Sequence, residues 1–198
     1  MRERLLSALD DSDTLTHPAS KRGFLVYLMG PYKSYPPYES PRPAAEVPTD
    51  RGTLDEVADR VRDGLDLDAD DALALLVALR RDLRADTGVN AFLATDPGIP
   101  LSEVDAATQS IAFADAATAT VFVAPAMGDN LGVGIEVGSV CEHLDDDTLL
   151  TDAVFLGERG VESSMVDAVA ARWHVTVDEF DGYDDLYRAV RVHLRAVA

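Results

Sequence analysis

The chain has 198 residues, 47% of them apolar, enough for one domain with a sizeable core. Its formal charge of −19 excludes a nucleic-acid backbone as partner, because neutralising phosphates takes clustered Lys and Arg. A single cysteine, Cys141, excludes an internal disulfide framework; no apolar run reaches the length of a membrane span; and the opening Met-Arg-Glu-Arg-Leu-Leu lacks a signal peptide's apolar stretch, so the chain is expected in the cytoplasm.

In chain order, residues 2–9 read as a short helix. Gly23 leads into Phe24-Leu-Val-Tyr-Leu-Met29, a continuous apolar run closed by Gly30-Pro31, the pattern of a central parallel strand buried on both faces. Residues 33–53 are rich in Pro, Ser and Tyr and read as an irregular insertion, either an ordered loop over a site or a mobile one. A short helix is expected over 54–63. Asp70 or Asp71 is expected to cap a helix reaching Ala85, with Leu73, Leu76, Val77, Leu79 and Arg80 at helical spacing. Val89–Thr95 reads as a second strand, ended by Pro97-Gly98. Ser102 is expected to open a helix to Ala117, with Glu103 in its first turn. Ala119–Ala124 reads as a third strand, followed by a glycine-rich turn and a helix over 131–144. Ala153–Leu156 reads as strand four, 163–173 as a helix and Val175–Val177 as a short strand. Asp184 is expected to cap a last helix with Leu186, Val190 and Leu194 on one face.

Strands alternating with helices predict a single α/β domain over 1–198. The fold class is flavodoxin- or Rossmann-like and doubly wound, a five-stranded parallel sheet covered on both faces. Ligands on such sheets bind beyond the carboxyl ends of the strands, where the strand order reverses. Two segments fall at strand ends of this kind: Gly30-Pro31-Tyr32 after strand one, and Met127–Glu136 after strand three. The second, Asn130-Leu-Gly-Val-Gly-Ile-Glu136-Val-Gly138, carries three glycines and one carboxylate at the start of a helix. Small residues there let a ligand approach the backbone, and the free amides of a helix start attract oxygens and phosphates. Glu136 is either a charge in the first turn of that helix or a reactive group. The segment is no Rossmann fingerprint, which belongs after strand one, and no P-loop, because it has no Lys-Ser/Thr pair.

The Gly-Pro-Tyr strand end, together with the later Gly-x-Gly-x-Glu-x-Gly turn, resembles the nucleoside 2-deoxyribosyltransferase superfamily. The match is nearest its branch of 2′-deoxynucleoside 5′-phosphate N-glycosidases and covers roughly residues 24–32 and 109–144. The resemblance implies hydrolysis or transfer at an N-glycosidic bond, with Glu136 as nucleophile or as stabiliser of an oxocarbenium-like sugar. It implies that Asp129, Asn130, Gly132 and Gly134 hold the sugar or a phosphate, and that Gly30, Pro31 and Tyr32 wall the base. It implies a homodimer, a nucleoside or nucleotide as small-molecule partner, and no metal or other cofactor. The family's proton-donating aspartate falls here on Ala112, counted back from Glu136, or on Ala107, matched through Ile111-Ala-Phe-Ala-Asp115. Asp115 and Asp105 are the acidic residues near that slot. The alternatives are a non-catalytic nucleotide-binding module on the same fold and an NAD-cleaving or sensing domain of the TIR type.

The other candidates read as structural. His17, His143, His174 and His193 lack metal-ligand spacing. Asp145-Asp-Asp147 reads as a solvated run, Ser163 and Ser164 as caps, and Cys141 as a core filler. Arg42 and Arg51 in the insertion are candidate cationic contacts for a phosphate. The type of charge carries its own message: two lysines against fifteen arginines, and 26 Asp against 10 Glu. Such a surface resembles proteins of salt-loving cytoplasms, where a Debye length of about 3 Å at molar salt screens the self-repulsion.

Overall fold

A computed structural model describes residues 2–11, 24–31, 69–87, 89–125, 130–144, 152–160, 168, 171–173 and 175–197. The insertion at 33–53, the expected helix at 54–63 and most of the one at 163–173 lie outside them. The elements are α1 (Arg2–Asp11), β1 (Leu25–Met29), α2 (Ala69–Asp82), β2 (Asn90–Phe92), α3 (Ala106–Ala116), β3 (Ala119–Ala124), α4 (Asn130–His143), β4 (Ala153–Glu158), β5 (Thr176–Phe180) and α5 (Tyr183–Val197).

The five strands form one sheet in the order β2-β1-β3-β4-β5. Every pairing is parallel, as strands joined by helical crossovers require. The architecture is the doubly wound, flavodoxin-like one. Side-chain alternation along β1 makes the two faces. Val26 and Leu28 point to a core shared with α2 and α5 through Leu75, Leu79, Leu186 and Val190. Leu25, Tyr27 and Met29 point to a second core with α1, α3 and α4 through Leu5, Leu9, Phe113 and Val137. In the second core Tyr27 stacks on Phe92 at 5.1 Å between ring centroids, and Phe113 meets both rings edge-on at 5.8 and 6.0 Å, the offset geometry that ring quadrupoles favour.

Several boundaries differ from the sequence expectation, each for a local reason. Asp70 and Asp71 fall inside α2, which starts at Ala69, and the helix ends in a π turn, Leu83–Thr87. Strand β2 stops at Phe92 rather than Thr95, because the Asp96 carboxylate takes the Leu93 amide at 3.0 Å and closes a turn there. Helix α3 starts at Ala106, not Ser102. Asp105 is its N-cap: the carboxylate accepts from the Thr108 amide at 3.0 Å, and Glu103 stays in the preceding turn. Strand β5 runs on to Phe180. Helix α5 starts at Tyr183, so Asp184 lies in its first turn, and Asp185 accepts the Asp181 amide at 2.9 Å.

Candidate active site at the strand-order reversal

β1 and β3 are neighbours, yet the chain leaves them toward opposite faces: β1 leads to α2 on one side and β3 leads to α4 on the other. In a sheet wound on both faces, such a reversal of strand order is where a ligand crevice is expected, over the carboxyl ends of these strands. Its floor is tightly built. A Cβ on Gly30 would lie 2.8 Å from Leu76 Cδ1 and 3.1 Å from the Val123 carbonyl oxygen, so glycine is what lets β1, α2 and β3 close up there. The next residue, Pro31, is buried, as is Pro125, the residue after β3. Proline has no N–H, so at these two positions the strand ends offer no amide donor.

Helix α4 begins at Asn130 beyond β3 and carries Gly132, Gly134 and Glu136. Glu136 is its seventh residue, about 9 Å along the axis from Asn130 at 1.5 Å per residue. No acidic residue lies in the first turn, so the expected helix-end charge is misplaced by a turn and gains little from the helix dipole. Tyr32 and Asp129 lie outside the described residues, as do the side chains of Asn130 and Glu136. Arg42, Arg51, Ser163, Ser164, His17, His174 and Asp145–Asp147 also lie outside.

The two acidic candidates for proton donation stand at opposite ends of α3. Asp105 stands at the ligand edge of the sheet, but it is a cap. The Thr108 amide and hydroxyl hold its carboxyl below the usual carboxylate range, with the hydroxyl donating at 2.7 Å. A carboxyl held ionised in that way makes a poor acid at neutral pH. Asp115 is exposed in the last turn of α3, next to the start of β3 and hence at the opposite edge of the sheet. The slot residues differ as well: Ala107 is exposed and Ala112 half-buried. The inner face of α3 instead buries Gln109 and Ser110, and the Gln109 amide donates to the carbonyls of Ile99 at 3.0 Å and Val104 at 2.9 Å.

Sequence reasoning missed a second polar cluster. Asp96, with a side chain 3% exposed, is gripped by Arg80 Nη1 and, at 3.3 Å, by Arg84 Nη2. Arg84 Nε also donates to the Ala91 carbonyl at 2.7 Å. Burial pulls the Arg84 guanidinium down to about 10, against the opposing pull of Asp96. The available signal was Arg80 itself, a charge at the spacing of the apolar face of α2.

The chain belongs to the DUF7509 family. The match to that family, described as "Domain of unknown function (DUF7509)", spans residues 2–198. No curated protein and no solved structure matches. For this DUF7509 chain, then, the crevice itself defines what chemistry is open. Around the reversal of strand order stand a close-packed Gly30, two strand ends closed by proline, and a glycine-bearing helix whose seventh residue is Glu136. Among the described residues no three His, Cys, Asp or Glu side chains are grouped as metal ligands, and no helix is long and apolar enough to cross a membrane.

Proposed function

We propose that the crevice between β1 and β3 binds a nucleoside or nucleotide and cleaves, or transfers across, its N-glycosidic bond. Glu136 attacks the anomeric carbon or stabilises the oxocarbenium-like sugar that forms there. The observation that carries the reading is a juxtaposition. Gly30-Pro31 and the glycine-bearing helix with Glu136, far apart in the chain, flank the same reversal of strand order. Backbone approach by a sugar suits Gly132 and Gly134, and the free amides of the α4 start suit an anionic or hydroxyl oxygen.

A second reading, a nucleotide-binding module without turnover, is favoured by the acid side of the chemistry. Asp105 is engaged as a helix cap and Asp115 lies at the far edge of the sheet. A missing general acid removes about 10²–10⁴ in rate, so binding would outlast catalysis. Release of free base from a panel of nucleosides, 5′-monophosphates and NAD, at high salt, separates the two. Under the catalytic reading Glu136→Ala lowers release by on the order of 10³ or more. Under the binding reading no member is cleaved, and calorimetric titration detects a ligand instead. An NAD-cleaving activity of the TIR kind shows as nicotinamide release from NAD alone.

A further inference from the structure

Leu76, Arg80 and Arg84 follow one another at intervals of four along α2 and its terminal π turn, a spacing that puts successive side chains on one face. At one end of that row Leu76 packs on Gly30 so closely that a methyl group there would collide with it. At the other end Arg80 and Arg84 grip Asp96, whose carboxylate also takes the Leu93 amide at 3.0 Å. Arg84 reaches further to the Ala91 carbonyl of β2. The row thus runs from the floor of the crevice to a buried ionic clamp on the outer edge of the sheet.

We propose that Asp96 is a positioning residue for the crevice: its ion pairs with Arg80 and Arg84 seat α2 on the sheet edge and so hold Leu76 against Gly30. The role rests on the crevice being the ligand site. A guanidinium that loses its buried carboxylate is left with an uncompensated charge and moves toward water. Helix α2 moves with it, because Arg80 is one helical turn from Leu76. The end of β1 then loses the packing that fixes Gly30 and Pro31.

The test uses the full chain carrying Asp96→Asn or Arg80→Gln. The control is Asp82→Asn, which removes an ionic contact of the same helix that faces Arg81 and Tyr183 rather than the sheet edge. Two readouts are taken: amide hydrogen exchange at Met29 and Gly30, and the substrate-concentration dependence of base release. The expected result is faster exchange at Met29 and Gly30 in Asp96→Asn and Arg80→Gln, with KM raised about ten-fold or more and kcat changed less than about three-fold. Arg80→Lys, which keeps the charge but not the fork, recovers part of both effects. The control shows neither. Unchanged exchange at these amides, or an equal change in Asp82→Asn, overturns the proposal. If the parent chain releases no base, the functional reading fails alone, and exchange still decides whether the clamp seats the floor. If Asp96→Asn does not fold, Arg80→Gln decides, because it leaves the Arg84–Asp96 pair in place.

Discussion

His193 sits half-buried on α5, with Nε2 out of water and unpartnered. Burial lowers its pKa below the ordinary value near 6.5, and the backbone and charge of Asp152 oppose that only in part. The neutral ring is therefore the folded form. As pH falls below about 6.5 the unfolded chain takes up a proton that the folded chain refuses, so stability present at pH 7 drains away until the lowered folded pKa is reached. Melting temperature followed from pH 7.5 to 5 is expected to fall, and to fall less steeply in His193→Gln. Equal slopes would sink the assignment. Cys141 illustrates the opposite inference at the same scale. It is buried, as a core filler should be, and burial pushes its thiol up to about 12, which disfavours the thiolate that nucleophilic attack needs.

At the scale of the element, β5 shows how an edge is protected. It is the last strand of the sheet, and Thr176, Val177, Asp178 and Glu179 are all exposed. Such a strand invites a second copy to pair with it. Asp178 turns its carboxylate onto the Glu179 amide at 2.9 Å, so that amide is not offered to a neighbour, and like charges would face each other in a self-pair. Asp178→Thr restores an amide to the edge and leaves Thr-Val-Thr in a strong β context. Light scattering at high salt is expected to show larger assemblies in the variant than in the parent; identical traces would mean the edge is guarded by something else. Helix starts carry the same lesson about local chemistry. The apolar periodicity of α3 was visible in the sequence, but Ser102 and Asp105 both have capping chemistry. Only the carboxylate that reached a free amide decided the start.

For the whole molecule the dominant quantity is the charge of −19. It is what remains after every Arg and Lys has been counted, and surface ion pairs such as Arg4–Glu103, Arg172–Glu142, Arg159–Asp181 and Arg159–Glu179, with side chains more than half exposed, do little to offset its repulsion. Self-repulsion acts over a Debye length of about 10 Å at 0.1 M salt and only about 3 Å at 1 M. Melting temperature is therefore expected to rise steadily with KCl from 0.1 to 3 M. The steepest part of the rise should lie below 1 M, where screening changes most. A flat dependence would show that the charge is spaced widely enough to cost nothing, and would count against a salt-adapted surface.

What the sequence determined by itself is whatever depends on pattern. The continuous run from Phe24 to Met29 could be buried on both faces only in a parallel sheet, and the alternation of strands and helices required crossovers. Gly30-Pro31 and the Gly132–Glu136 helix could be placed at strand ends for the same reason. What depends on neighbours across the sheet was left to the tertiary structure. The order β2-β1-β3-β4-β5 puts those two segments on one reversal point. The closure of β2 at Phe92 waited on the Asp96 carboxylate, and the burial of Asp96 between Arg80 and Arg84 joins a helix to the turn that follows the next strand. The demotion of Asp105 to a cap and of Asp115 to the far edge came from a helix start and a helix direction. Local propensity names the elements; which charges meet is decided by where the sheet sets them down, since a carboxylate's role follows the donors within hydrogen-bond reach and not its place in the chain.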